Sequence, residues 1–326
     1  MKHLSLFVGV AALALAAPVA ARAGADLYVV NLIGGTVGEY TATGALVKAP
    51  LVTGLDFPIG IALSGNNLFV TNSFRDTVGE YNATTGAVEN ASLITGLNNP
   101  SGLAVSGNKL FVANEYGNTI GEYTFSNTGN VYSAAVVNAS LITSLLGPES
   151  LAVSGSDIFV ANAGSQTIGE YNATTGAVVN ASLVTGLGDA VGLALLGADI
   201  FVGSYNSGTI GEYTTSGGVV NASLITGLNL PTGLALSGSD IFVSNYNGDS
   251  IGEYALSSTG NGYSATVVNP SLVTGLDRPE MIAISNPSSA VPEAASLSLL
   301  AAGALGLASV HGRTRRRRPV ASGAGL

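Results

Sequence analysis

The sequence predicts an all-β fold, a six-bladed β-propeller with four antiparallel strands in each blade. Three observations lead there. A stretch close to "TIGEYNATTG" recurs six times, and its glutamates, Glu39, Glu80, Glu122, Glu170, Glu212 and Glu253, follow one another at intervals of 41 to 48 residues. Each interval holds four short apolar runs of strand character separated by Gly, Asn and Ser. The first copy lacks its opening run, and the chain supplies one spare run after the last copy.

The runs can be placed in order. Aligned copies begin at Pro58, Pro100, Pro148, Ala190 and Pro231, and read "GLAVS", "LFVAN", "TIGEY" and "SLITGL" or close variants. Runs of about five residues match the usual strand length. Ser-Gly-x-x, a polar loop such as "NEYGN" and "NATTGAVVN" supply the turns between them. Two copies carry a longer third connection, "FSNTGNVYSAAVV" and "ALSSTGNGYSATVV", read as edge insertions. No 3.6-residue periodicity runs through the middle of the chain, which excludes a helical body.

Closure follows from the split copy. The N-terminal copy starts at "DLYVVN", and "PEMIAIS" at Pro279–Ser285 is an inner strand without a blade of its own. Pairing Pro279–Ser285 beside Leu27–Asn31 joins the ends of the ring and leaves no open sheet edge there. Removing Pro279–Ser285 would expose that edge and favour aggregation.

Composition narrows function. There is no Cys, which excludes disulfides and thiolate metal sites. Twenty acidic residues lie between Asp26 and Glu293, against Lys48, Arg75, Lys109 and Arg278, a net of −16 for that part. Such a body repels the phosphates of nucleic acid, so nucleic acid is not expected as a partner.

The ends read as addresses, which divides the chain into residues 1–23, 24–287 and 288–326. Lys2 and His3, an apolar run Leu4–Ala17 and Ala21-Arg22-Ala23 form a secretory signal with cleavage after Ala23. At the other end, Val291, Pro292 and Glu293 precede a 17-residue apolar run, Ala294–Val310, and five arginines between Arg313 and Arg318. The run is at the lower limit for a membrane helix, with the arginines held on the cytoplasmic side.

The repeated Gly-Glu-Tyr is read as a building block. Alternation puts Ile120 with Glu122 on one face of the third strand and Gly121 with Tyr123 on the other. The tyrosine is expected to pack between blades, and the glycine to make room for the neighbouring sheet. Third strands stand about 15 Å from the axis, too far apart for glutamates of different blades to share an ion. If Glu122 is solvated, Glu122→Gln should change stability by about 1 kcal/mol or less. The Asn-Ala-Ser triplets at Asn90, Asn138, Asn180 and Asn221 are read as starting the outer strand, not as glycan acceptors.

Ligand chemistry is sought instead at the end of the axis where inner strands begin. The residue after the proline varies between copies, as Ile59, Ser101, Glu149, Thr232 and Glu280, and Asp189 precedes Ala190 at the proline position. Glu149, Asp189 and Glu280 are the candidate binding residues, and with the carbonyls of Asn31, Asn72, Asn114, Asn162 and Asn245 they would suit a Ca²⁺ ion. The loop lacks ion-loop spacing, and no cofactor is expected. The only histidines, His3 and His311, lie in the ends, and no GxSxG, P-loop or zinc motif occurs, so no catalytic residue is assigned.

The motifs "P-x-G-L-A-V", "L-F-V-A-N" and "G-N-T-I-G-E-Y", over about Asp26 to Ser285, resemble the NHL family and related six-bladed propellers, with a third strand similar to the streptogramin B lyase subgroup. Those propellers include lyases, lactonases and binding scaffolds, and the histidine of the lyases has no counterpart between Asp26 and Ser285. The C-terminal order resembles the PEP-CTERM sorting tail of exosortase substrates, with Ala294 in place of the second proline and "PVASGAGL" after the arginines. These readings lead to a non-enzymatic exported protein, inserted transiently in the inner membrane, handled by an exosortase-type enzyme and released to the surface or matrix. There it would bind extracellular polysaccharide or another surface protein. The alternative is a metal-dependent hydrolase or lyase acting on a small sugar or lactone at the channel.

Overall fold

In a computed structural model, residues 24–128 and 131–285 are described. The expected signal segment 1–23, the processing residues Ala23, Val291, Pro292 and Glu293, and the apolar run 294–310 all lie outside them. Among the described residues no helix is long and apolar enough to cross a membrane.

Six separate four-stranded antiparallel sheets form, each built from consecutive runs of the repeat. The inner strands of blades 2 to 6 are Pro58–Ser64, Pro100–Ser106, Pro148–Ser154, Ala190–Leu196 and Pro231–Ser237. Blade 1 takes its inner strand, Pro279–Ile284, from the far end of the chain and sets it beside Asp26–Asn31. Leu27 is opposite Ile284, and Val29 is opposite Ile282. The Asp26 amide donates to Ser285 Oγ at 2.7 Å, and the Ser285 amide returns a bond to the Asp26 carbonyl at 2.9 Å. The expected closure is therefore the observed one.

The core lies between blades, because a two-faced sheet in a ring must bury both faces. Phe69, Phe111, Phe159, Phe201 and Phe242 of the second strands are at most 2% exposed. Each joins an apolar cluster with the next blade, as Phe69 does with Leu110, Val112 and Tyr123. On the third strand the alternation holds, with Ile120 packed toward blade 4 and Tyr123 toward blade 2. The tyrosine therefore does pack between blades.

The glycine's reason is different from the expected one. A Cβ at Gly121 would lie 2.8 Å from the Tyr123 ring. The same clash recurs at all six copies, from 2.5 Å at Gly79 to 3.0 Å at Gly252. Each tyrosine folds back over the glycine two residues before it on the same strand face. It is the ring, more than the neighbouring sheet, that needs the missing Cβ.

The glutamates are also not solvated. Glu39, Glu80, Glu122, Glu212 and Glu253 are at most 6% exposed, and Glu170 is half-buried. Glu122 is diagonal to Lys109, whose ammonium lies 2.6 Å from Oε1 as an ion pair. Glu212 accepts the Tyr263 amide at 3.0 and 3.1 Å. Among the described residues Glu80 has no hydrogen-bond partner on either carboxylate oxygen, and burial, then the nearby Glu89, pushes its pKa up to about 7. Each of Glu80, Glu122, Glu170, Glu212 and Glu253 faces an outer-strand asparagine, Asn90, Asn138, Asn180, Asn221 or Asn269, with register shifts on either side. Those asparagines accept the amide two residues on at 3.0 to 3.1 Å. The Asn-Ala-Ser triplets thus sit inside the outer strands, where they shape a bulge, and do not begin them.

The ring also repeats as two halves. The long hairpins, Thr119–Thr128 with Val131–Ile142 and Ser250–Ser258 with Tyr263–Thr274, belong to blades 3 and 6, which are opposite each other. Each reaches across to the preceding blade. Asn90 donates to the Tyr132 carbonyl at 3.0 Å, and the Tyr263 ring lies 5.8 Å from that of Phe201. These insertions are braces between blades, not free edges.

Two outcomes are expected. Gly121→Ala should destabilise the fold by about 1–3 kcal/mol, the cost of overpacking, measurable by denaturant unfolding. Glu80→Gln should leave the melting temperature unchanged near pH 4 and raise it by about 2–4 °C at pH 8. The sign follows because a carboxyl with a raised native pKa loses stability as pH climbs from its unfolded value toward about 7, and glutamine does not ionise.

Candidate binding site at the end of the axis

The inner strands begin at the axis, and the residue after each proline-position residue points into a shared cavity of about 260 Å³. All six blades contribute: Ile59, Ser101, Glu149, Val191, Thr232 and Glu280. In ring order these read aliphatic, hydroxyl, Glu, then again aliphatic, hydroxyl, Glu. Glu149 and Glu280 are therefore three blades apart, on opposite walls, in the same half-ring repeat as the hairpins.

Close backbone approach builds this ring. A Cβ at Gly60 would strike the Ser101 carbonyl, and one at Gly192 the Thr232 carbonyl. Blades 4 and 1 have Ser150 and Met281 at this place instead, again an opposite pair. The two hydroxyls are committed to the scaffold. Ser101 donates to the Pro148 carbonyl and Thr232 to the Pro279 carbonyl, both at 2.9 Å, which ties each inner strand to the next.

The three candidate residues line the one cavity, in different ways. Glu280 is 8% exposed, and no hydrogen bond to its carboxylate is formed among the described residues. Burial pushes its pKa up to about 8, with Glu149 and Glu115 adding like-charge repulsion. Glu149 is half-buried and also pushed up to about 8, by burial first and then by Glu115 and Asp189. Asp189 sits at the rim with φ of 64° and accepts from Asn206 Nδ2 at 2.8 Å. Among the described residues no three of His, Cys, Asp and Glu are grouped so as to hold a metal ion.

Four of the five asparagines proposed as further ligands serve the loops; the fifth, Asn162, donates to the Val160 carbonyl at 3.3 Å, and its Oδ1 is buried without a partner among the described residues. Asn31, Asn72, Asn114 and Asn245 accept, through Oδ1, the amides of Asp277, Asp56, Asn98 and Asn229 at 3.1 to 3.2 Å. Their side-chain carbonyls pin the segment leading into the inner strand of the same blade.

Sequence reading missed Glu115, Tyr205 and Tyr246, which also line the cavity. They occupy one structural position, the residue just after the second strand, with Leu32 as the blade 1 equivalent. That position varies between copies as freely as the one after the proline, and this signal was available in the sequence. Tyr205 and Tyr246 meet edge to face, 6.0 Å between centroids. The Arg278 guanidinium lies 5.4 Å from the Tyr246 centroid and donates to its hydroxyl at 3.3 Å. The cavity is thus acidic and aromatic, with one cation beside its rim.

Glu149→Gln and Glu280→Gln should each stabilise the fold above pH 8 and leave it unchanged near pH 4, read as melting temperature across pH 4 to 9. Both carboxyls carry native pKa values far above the unfolded range, so their stabilising neutral forms are lost as pH rises toward about 8.

No family model matches the chain, and no curated protein sequence matches it. Solved structures match by shape. The crystal structure of a nidogen/laminin complex contains a chain with TM-score 0.61 and 14% identity, over 80% of this chain and 98% of that one. A crystal structure of the computationally designed Ika8 protein overlaps with TM-score 0.43 and 17% identity, over 70% of this chain and 67% of that one. The first of these similarities supports the propeller fold that the strand pairing already defines, and the fold alone.

Proposed function

We propose that the chain is an exported, non-enzymatic propeller that binds a ligand or partner at the cell surface or in the extracellular matrix. The observation that carries this is the axial cavity, where all six inner strands converge on buried and half-buried carboxylates and tyrosines. A binding surface of this kind needs only shape and charge, and its two hydroxyls already donate to backbone carbonyls. The repeats resemble the NHL type in their motifs, and such propellers host several functions.

Export is supported by the sequence of the two ends. The apolar N-terminal run with Ala21-Arg22-Ala23 directs secretion. Val291-Pro292-Glu293, the apolar run and the arginines direct PEP-CTERM-type sorting through a transient inner-membrane form. The acidic body would then remain outside, with a polysaccharide or a surface protein as partner.

Mass spectrometry of the exported protein tests this reading. The expected mature form starts at Gly24 and ends near Pro292-Glu293. A surface or matrix form that still ends at Leu326 would sink the sorting step, and an intact Met1 would sink export. Conversion of a bound molecule by the purified full chain would refute the non-enzymatic part.

A further inference from the structure

We propose that the axial cavity binds a small organic dication, a short aliphatic diamine, held between Glu149 and Glu280. This rests on the binding reading above and names the ligand class of that same site.

Four observations point there. First, the two glutamates stand on opposite walls, three blades apart, so their carboxylates address opposite ends of whatever lies on the axis. Second, Glu280 is 8% exposed, lines the cavity and has no hydrogen-bond donor from the described residues. A buried carboxylate in that state needs a proton or a cationic donor. Third, the walls include Tyr205 and Tyr246, and aromatic rings attract ammonium groups. Arg278 lies against the Tyr246 ring, and the Tyr205 ring, which meets Tyr246 edge to face, lines the cavity without a cation against it among the described residues. Fourth, the volume of about 260 Å³ admits a chain of a few carbons, free or at the end of a longer molecule.

A metal ion fits less well. It needs several ligands within roughly 2.6 Å of one point, and no three acidic or imidazole groups among the described residues are so placed. A diamine satisfies separated carboxylates one at a time, each with its own charge-assisted hydrogen bonds. Glu115 on the same wall adds attraction for the cation, and Asp189 at the rim is held by Asn206.

The titratable groups around the cavity predict the pH response. Glu115, Glu149, Asp189, Glu280, Tyr205 and Tyr246 face the site, with Arg278 beside it. Burial, with like-charge neighbours, pushes the pKa values of Glu149 and Glu280 up to about 8, which favours their protonated forms when no cation is bound. A dication must displace those protons, so its binding releases them and tightens as pH rises from 6 to 9.

Calorimetric titration of the purified full chain with 1,4-diaminobutane tests this, with butylamine, 1,4-butanediol and CaCl₂ as comparison titrants. The expected result is saturable binding of one diamine per chain, tighter at pH 9 than at pH 6, weaker for butylamine and absent for the diol. Glu149→Gln and Glu280→Gln should each weaken it by about tenfold or more, the loss of one charge-assisted contact. Circular dichroism checks that each variant is folded, and Glu115→Gln, which removes charge without removing either anchor, should weaken binding less. No saturable diamine binding, binding by either Gln variant as tight as by the native chain, or binding of Ca²⁺ in preference to the diamine would overturn the inference. Retention of matrix polysaccharide alongside such a failure would leave the broader reading standing, whereas conversion of a bound molecule would bring that down as well.

Discussion

Every blade of this ring depends on being wedged between two others. A sheet with apolar residues on both faces cannot stand alone in water, and here each second-strand phenylalanine is buried against the following blade. The tyrosine of the third strand faces the other way, toward the preceding blade. Phenylalanine forward and tyrosine backward recur at five interfaces, and Tyr28 takes the phenylalanine's place at the sixth. The last interface can exist only if the chain's two ends meet in one sheet. Pairing of Pro279–Ile284 with Asp26–Asn31 is thus the condition for the other interfaces to hold, without any disulfide to enforce it.

That dependence explains how a carboxylate comes to be buried five times and half-buried the sixth, at Glu170. The glutamate shares its face with the phenylalanine, opposite it in register, as Glu122 is to Phe111. The face must be covered by the next blade, so the carboxylate is covered too. The blades resolve the resulting cost by different local means. Lys109 neutralises Glu122, the Tyr263 amide bonds Glu212, the Tyr28 hydroxyl is 3.4 Å from Glu39, and Glu80 is pushed toward its neutral form. Identical motifs do not imply identical environments once the neighbouring residues differ.

The architecture was legible in the sequence because its cause is local and repeated. Strand lengths, turns and the split copy are each visible in stretches of five to fifty residues. Whether the glutamates are solvated is left as a condition by the sequence, because burial on a third strand is decided by the neighbouring blade, which no single repeat displays. The role of the glycine was misjudged for a related reason: the ring it accommodates lies two residues away on its own strand, not across the interface. At the axis, variation after the proline led to Glu149, Asp189 and Glu280, and all three line the cavity. Glu115, Tyr205 and Tyr246 were passed over because the asparagine before their position drew attention as a ligand. That asparagine instead holds loop amides, as Asn114 does for Asn98.

The half-ring repeat has a consequence for how such a molecule can arise. Blades 2 to 4 and blades 5, 6 and 1 match in hairpin length, in the residues that meet on the axis and in the places where glycine is replaced. A half-ring of three blades would present one unmatched blade face at each end, and each end is complementary to the opposite end of an identical half. Two copies of an ancestral half-length chain could therefore have closed on each other as a symmetric pair before a duplication joined them. Divergence after such a fusion would show first where pairing no longer has to be mutual, and the rim has that character. Asp189 faces Phe57 across the circle and Arg278 faces Gly147, so the two halves that agree at the centre differ in charge at the entrance.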